Sequence, residues 1–290
     1  RTRVRSCLKV EKSGDHHRPL VLHGEKLNLI RVKVNGETLD PASYHRDDTA
    51  LTLNLIEPET TLEIETEINP AANSELSGLY ASADTLCTQC EPEGFRRITY
   101  FLDRPDVLSV YRVTLRALKA QYPVLLSNGN HVSDGEDGQY HYAIWEDPHP
   151  KPSYLFALVA GPLQFIEGRF TTTSGRHVQL RIYARARDIP QCDFALSALR
   201  DAMVWDEKVY DCEYDLDQYN IVAVEDFNMG AMENKGLNIF NTKYVLADRD
   251  TATDDDFENI ESVIGHEYFH NWSGNRVTCR DWFQLSLKEG

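Results

Sequence analysis

The chain has 290 residues, which exceeds one typical domain and predicts two. A hydrophobic content of 41% and a charged content of 26% are ordinary for a globular protein and exclude disordered, collagen-like and coiled-coil classes. Its 46 acidic and 30 basic residues give a formal net charge of −16, which disfavours nucleic acids and anionic membranes as partners.

The first half of the chain consists of short runs of alternating hydrophobicity, the pattern of an antiparallel sheet. Turn-forming pairs such as Asn128-Gly129 and Asp134-Gly135 separate these runs. We therefore predict a β-rich, sandwich-like domain over residues 1–161. Its clearest strands are predicted at residues 27–34, 50–55, 61–68, 110–117, 122–126, 140–145 and 153–160.

The pattern becomes mixed after residue 161, which predicts an α+β chain with a second domain over residues 162–290. Strands are predicted at 165–173, 177–183 and 219–224, and helices at 190–209 and 254–271. Thr253 can cap the second helix, and Asp254, Asp255 and Asp256 crowd its first turn, where the helix dipole favours negative charge.

The second predicted helix carries the run His266-Glu267-Tyr268-Phe269-His270. Histidines four residues apart lie on one face of a helix, so both imidazoles can reach one zinc ion, and Glu267 between them can contact its water. Glu289 would add the carboxylate of a two-histidine, one-glutamate site if residues 281–289 form a returning helix. Three ligands leave a position for water, which favours catalysis; a structural zinc closed by Cys279 is the less favoured alternative.

A glycine-containing segment, residues 224–236, follows the strand predicted at 219–224. Such a segment can offer its backbone to a peptide laid alongside it, while Glu233 holds a cation at the end of that peptide. A surface loop with a solvated glutamate explains the same residues equally well. The residues alone leave this choice open.

Together these motifs resemble the zinc aminopeptidase N family, gluzincins with a Gly-Ala-Met-Glu-Asn motif. The resemblance rests on residues 230–234, on the His266 to His270 motif, and on Glu289 after eighteen intervening residues. It extends over nearly the whole chain through residues 87–96, 102–106, 125–129 and 276–282. The resemblance implies a thermolysin-like second domain and one zinc ion per chain.

The family's site residues can be transferred position by position. The resemblance implies that His266, His270 and Glu289 are the zinc ligands and that Glu267 is the general base. It implies peptide substrates with a free N-terminus, whose α-amino group is bound by a carboxylate and a glutamine. The substrate-binding residues that it implies are Glu233, Gln89, Gly230, Ala231 and Met229, the last of which would line the first side-chain pocket.

The chain differs in two respects from complete members of the family. The chain opens at Arg1 without a methionine or signal-like segment and stops at Gly290, so we expect a fragment with a truncated second domain. Family members carry a tyrosine beyond the third ligand that stabilises the tetrahedral intermediate, and residues 1–290 do not reach it. We therefore expect negligible activity from these residues alone.

Three functions remain compatible with the residues. The first is an aminopeptidase, the second another zinc hydrolase, either an endopeptidase of thermolysin type or an epoxide hydrolase, and the third a zinc-binding module without turnover. Glu233 argues against the endopeptidase, because a carboxylate at the chain-end subsite has no partner in a mid-chain substrate.

The apolar runs, the cysteines and one glycosylation motif bear on the cellular compartment of the protein. No run approaches the roughly 18 consecutive apolar residues of a membrane span, so we expect no membrane partner. Six cysteines are too few for a disulfide scaffold, and we interpret Cys87 and Cys90 as structural thiols in a cytoplasmic protein. Asn271-Trp-Ser273 matches a glycosylation acceptor, which we discount because it adjoins the zinc helix. The sequence indicates no oligomeric state.

Overall fold

The N-terminal part of the molecule begins with two antiparallel sheets that share an apolar core. The computed structural model describes residues 1–55 and 57–290. Every second side chain of the first strand faces inward, which leaves Arg3, Arg5 and Lys9 on the outer face. In spatial order the first sheet contains β1 (Thr2–Glu11), β7 (Glu59–Ile68), β3 (Asn28–Val34) and β4 (Glu37–Thr38), and the second contains β2 (Leu20–His23), β6 (Ala50–Leu53) and β5 (His45–Arg46).

Two further antiparallel sheets connect this sandwich to the rest of the chain. The strand over residues 85–89 ends at Gln89, and Glu91 follows it in the next loop. One sheet has the order β11 (Val124–Ser127), β14 (Leu158–Gly161), β9 (Thr85–Gln89) and β8 (Gly78–Ser82), and the other β10 (Ser109–Leu118), β13 (Tyr140–Lys151) and β12 (Asn130–Asp137).

The C-terminal part is built on a five-stranded mixed sheet. Its order is β15 (Gln164–Thr171), β16 (His177–Ala184), β17 (Gln218–Val224), β19 (Leu237–Asn241) and β18 (Ala231–Met232). The pairs β16–β17 and β17–β19 are parallel, and the other two pairs are antiparallel. Strand β18 lies at the edge, so one side of its backbone is not paired within the sheet.

Two helices pack on this sheet through apolar residues at helical spacing. Helix α1 (Asp193–Tyr210) buries Leu196, Leu199 and Met203, and α2 (Asp254–Phe269) buries Ile260 and Ile264 in the same core. The predicted cap of α2 is confirmed, because the Thr253 hydroxyl accepts from the Asp256 backbone N–H while the Asp256 carboxylate accepts from that of Thr253. A four-residue helix, α3 (Ser286–Glu289), ends the chain.

Three sequence-based element predictions are wrong. Residues 153–160 form a 3₁₀ turn and then β14, because the Asn128 side chain binds backbone groups of Leu155 and Ala157. Asp134-Gly135 lies inside β12, where a Cβ on Gly135 would come 2.5 Å from the Tyr142 hydroxyl. Residues 281–289 form a 3₁₀ turn and α3 instead of one continuous helix.

The predicted α+β class with a β-rich N-terminal part is confirmed. Strand β14 ends at Gly161 and β15 begins in a different sheet, yet one core contains Tyr80 and Val159 from the first part together with Val222 and Ile239 from the second. The boundary at residue 161 therefore stays a prediction. Among the described residues, no helix combines the length and the apolar character needed to cross a bilayer.

Candidate metal centre

The last turn of α2 brings His266 and His270 together, as their spacing predicts. Their Nε2 atoms lie 3.0 Å apart, and the two rings meet edge to face with centroids 4.5 Å apart. His270 is buried, whereas the side chain of His266 is half-exposed. The exposed side of the pair is where a ligand could approach.

Glu289, at the end of α3, supplies the third donor atom. Its Oε2 lies 3.3 Å from Nε2 of His266 and 3.4 Å from Nε2 of His270. A tetrahedral metal ion bound at about 2.1 Å to three such atoms would place them about 3.4 Å from one another. The three donor atoms therefore have the spacing, and the chemical identity, of a catalytic zinc triad with one open position.

The orientation of the His270 ring is fixed by a hydrogen bond from the ring nitrogen that faces away from the triad. Its Nδ1 lies 2.7 Å from the Ser273 carbonyl oxygen, so Nδ1 carries the proton and Nε2 presents its lone pair to the centre. A Cβ at Gly274, where φ is +131°, would come 3.0 Å from Nδ1. Against the effect of burial, Glu289 and Glu233 raise the pKa of His270 to about 9, so the surrounding carboxylates favour a positive charge here, which a bound metal ion would supply.

Glu267 lies beside the triad without belonging to it. It is buried, and its Oε2 has no hydrogen-bond partner among the described residues. Burial, with a smaller contribution from Glu233, raises the pKa of Glu267 well above its ordinary value. One donor atom each from Glu233, Glu267 and His270 fall within 4.8 Å of one another, so this carboxyl group faces the centre. A carboxyl group with a raised pKa accepts a proton more readily than an ordinary glutamate does.

The segment around Glu233 forms a wall of the site, as strand β18 and the residues that follow it. Met232 pairs with Ile239 of β19, and the Gly230 carbonyl accepts a hydrogen bond from the Asn241 backbone N–H at 2.9 Å. Both Ala231 and Glu233 are buried, which rules out the surface-loop interpretation.

The Glu233 carboxylate is bound to an ammonium group from the chain itself. Lys288 Nζ lies 2.6 Å from Glu233 Oε1 and 2.9 Å from Glu91 Oε1, and it also contacts Glu289. Lys288 is buried, and the neighbouring carboxylates raise its pKa against the effect of burial. The pocket beside the three metal-binding atoms therefore accommodates a protonated amine.

Glu91 and Lys288 are site residues that the sequence analysis missed. Burial, and then the charge of Glu233, raise the pKa of Glu91 to about 7. Glu91 lies two residues beyond Gln89, so the position was adjacent to a residue already identified, whereas no signal in the sequence indicated that Lys288 turns inward. Gln89 Nε2 lies 3.3 Å from Sδ of Met229, which is about half-exposed at the rim.

The structure brings five of the nine site residues predicted from the sequence to one centre: His266, His270 and Glu289 form the triad, and Glu267 and Glu233 lie beside it. The other four lie in the segment that leads to Glu233 (Met229, Gly230 and Ala231) and at the end of strand β9, where Gln89 contacts Met229 and Met232. Cys87 and Cys90, which the sequence analysis interprets as structural thiols, are both buried free thiols. Asn271 is buried and hydrogen-bonded, which is inconsistent with glycosylation at this position.

Comparisons with known proteins identify the family of the chain. The model of the peptidase M1 N-terminal domain matches residues 3–155, and that of the peptidase family M1 domain matches residues 194–290. The chain is 54% identical to aminopeptidase N of Escherichia coli (strain K12), over 100% of this chain and 33% of the relative, and 54% identical to aminopeptidase N of Caulobacter vibrioides, over 100% of this chain and 34% of the relative.

A solved structure shows the same fold. The crystal structure of Legionella pneumophila aminopeptidase A in complex with aspartic acid matches with a TM-score of 0.96 at 38% identity, over 99% of this chain and 34% of that chain. The chain spans about a third of the length of the curated relatives that it matches. With both family models matched in consecutive order, the chain belongs to peptidase family M1.

Proposed function

We propose that the protein of which these residues form part is a zinc-dependent aminopeptidase that removes N-terminal residues from peptides with a free α-amino group. The observation that carries this proposal is the ammonium of Lys288 between Glu233 and Glu91, directly beside the three donor atoms of the metal triad. An amine-binding pocket next to a hydrolytic metal position selects the end of a peptide. The relatives named aminopeptidase support the same activity.

His266, His270 and Glu289 would hold the zinc ion, which when bound polarises a carbonyl and lowers the pKa of water. The carboxylates of Glu233 and Glu91 bind the substrate ammonium in place of Lys288 Nζ, and so position the first peptide bond. This arrangement converts the binding of a charged chain end into orientation of the bond to be broken.

Glu267 performs the proton transfers. Its Oε2, which has no partner among the described residues, accepts a proton from the attacking water and returns it to the leaving amine. The free edge of β18 holds the peptide backbone in extended form, and Met229 with Gln89 borders the first side chain. We place the protein in the cytoplasm, to which its free thiols are suited.

The test uses the full-length protein and two substrates that differ only at the amine. An alanyl amide with a free amine should be hydrolysed much faster than its N-acetylated twin. Equal hydrolysis of both would indicate an endopeptidase, and zinc binding without hydrolysis of either would indicate a binding module.

A matched variant separates the proton-transfer step from metal binding. Glu267→Gln keeps the shape of the side chain and should retain zinc while turnover is lost. Activity retained in this variant would remove Glu267 as the base.

A further inference from the structure

Lys235 is a buried lysine two residues beyond Glu233 that the proposed reaction does not use. It is only 1% exposed. Its Nζ lies 2.6 Å from Asn271 Oδ1 and is paired with Asp215. Burying an ammonium group is costly unless it is paired and hydrogen-bonded, so this lysine occupies a defined position.

The partner of Lys235 in the turn after α2, Asn271, adjoins the metal centre. Asn271 follows His270 directly, and its Nδ2 lies 3.4 Å from Asp215 Oδ1, which completes a buried triangle of side chains. The other oxygen of Asp215 is paired with Arg276. The side chain two residues from the amine-binding carboxylate is thus joined to the residue next to a metal ligand.

A second connection runs in parallel through Asn275. Its Nδ2 donates to the Glu233 carbonyl oxygen at 2.9 Å, and its backbone N–H donates to the His270 carbonyl oxygen at 3.0 Å. Residues 233–235 are therefore tied to the turn after α2 at two points. One is a backbone link at Glu233 itself, and the other is the side chain of Lys235.

The opposite side of the segment is fixed by the N-terminal part. The Asn128 side chain donates to the Lys235 carbonyl oxygen at 2.9 Å. The same side chain accepts from the Ala157 backbone N–H at 2.7 Å. A shift of the segment would break these bonds or those to the turn after α2, so its position is determined by both parts of the chain.

We propose that Lys235, acting through Asn271 and Asp215, is a positioning residue that sets the spacing between the amine-binding carboxylate of Glu233 and the metal position at His270. This inference rests on the proposed function. In an α-amino acid one carbon separates the amine from the carbonyl, so the distance between the amine pocket and the metal decides which substrates place their carbonyl correctly. A displacement of about 1 Å in such a site can cost about a hundredfold in rate.

The experiment compares substrates that differ in this spacing. Full-length wild type, Lys235→Met and Asn271→Ala are assayed on L-alanyl and β-alanyl amides, the second of which has one more methylene between amine and carbonyl. The ratio of the two kcat/KM values is independent of the fraction of active enzyme, so partial unfolding alone does not change it. Asn271→Ala leaves the Lys235–Asp215–Arg276 ion pairs in place and serves as the milder variant.

The matched control is Lys151→Met. Lys151 is also 1% exposed, is paired with an aspartate, Asp147, at 3.0 Å, and lies over an aromatic ring as Lys235 does. Its pair is with Asp147 rather than with the turn after α2. The charges of Lys151 and Asp147 act on Lys235, but Lys151 makes no hydrogen bond to the turn after α2 among the described residues. The control therefore tests whether the loss of a neighbouring buried ammonium group alone changes the preference.

We expect the preference for L-alanyl over β-alanyl amide to fall about tenfold or more in Lys235→Met and Asn271→Ala, and to stay within about twofold of wild type in Lys151→Met. Unchanged preference in both test variants, or an equal fall in the control, would overturn the positioning role. A wild-type enzyme that hydrolyses no alanyl amide would instead contradict the proposed function, so the two failures are distinguishable.

Discussion

At the scale of single residues, the two histidines of the triad differ in burial and in how their side chains are oriented. His270 is buried and oriented by the Ser273 carbonyl, whereas His266 is half-exposed. The proposed zinc site would consist of one carboxylate and two imidazoles, so removal of one ligand would leave two, which cannot define the geometry.

We therefore predict that His270→Ala loses its zinc. The measurement is metal content per chain after dialysis, with Glu267→Gln as the control that keeps all three ligands. One full equivalent of zinc in His270→Ala would show that the metal binds elsewhere.

Replacing Glu233 should weaken the binding of substrates that carry a free amine and should leave metal binding unchanged. An ammonium about 4 Å from a carboxylate gains about 4 kcal/mol at an effective dielectric constant near 20, before desolvation is subtracted. We predict that Glu233→Ala lowers kcat/KM for free-amine peptides about 30- to 150-fold, equivalent to about 2 to 3 kcal/mol. The zinc content should be unchanged, and the ratio of kcat/KM for free-amine peptides to kcat/KM for N-acetylated peptides should fall. Equal loss on both substrate types would make Glu233 a structural residue.

At the scale of elements, helix α1 contains a destabilising group. Asp206 is 2% exposed, and burial raises its pKa from 3.8 to about 6. Because the carboxyl group is harder to ionise in the folded state, it costs no stability below about pH 4 and lowers stability progressively as the pH rises through 6. The loss levels off above that pH.

The isosteric variant Asp206→Asn removes this titration. We predict that it is more stable than wild type at pH 8 by on the order of 2 kcal/mol, with the advantage absent near pH 4. The difference in Tm between variant and wild type at the two pH values checks the sign. A difference that is the same at both would show that ionisation of Asp206 does not affect stability.

At the scale of the whole molecule, buried polar side chains join the two parts. Asn128 is 1% exposed and makes three hydrogen bonds, to Leu155, Ala157 and, in the C-terminal part, Lys235. Tyr80 adds a further link, since its hydroxyl donates to the Asp226 carbonyl oxygen at 2.8 Å. The two parts are thus joined by buried polar side chains as well as by a shared apolar core.

Asn220 offers a matched comparison for Asn128. It is also fully buried, but neither of its amide atoms has a hydrogen-bond partner in the described part of the chain. Both alanine variants delete the same atoms, yet Asn128→Ala also leaves two carbonyls and an N–H group unpaired. We predict that Asn128→Ala lowers the free energy of unfolding by about 2 kcal/mol more than Asn220→Ala does. Equal losses of Tm in the two variants would contradict this.

The sequence by itself determined the features that depend on local spacing. The cap at Thr253, helix α2 and the pairing of His266 with His270 follow from helical periodicity and side-chain type, and the structure contains them. The alternation of short strands likewise indicated the β-rich N-terminal part. These features require only that neighbouring residues obey the geometry of one helix or strand.

Only the tertiary structure decided the rest, because it depends on residues distant in the chain. Glu91 joins the site across the interface between the two parts, and Lys288 turns inward because three carboxylates surround its ammonium. Residues 153–160 break into a turn and a strand because a distant side chain, that of Asn128, binds their backbone. Propensity and periodicity describe an isolated segment, whereas burial and charge compensation are properties of the packed chain.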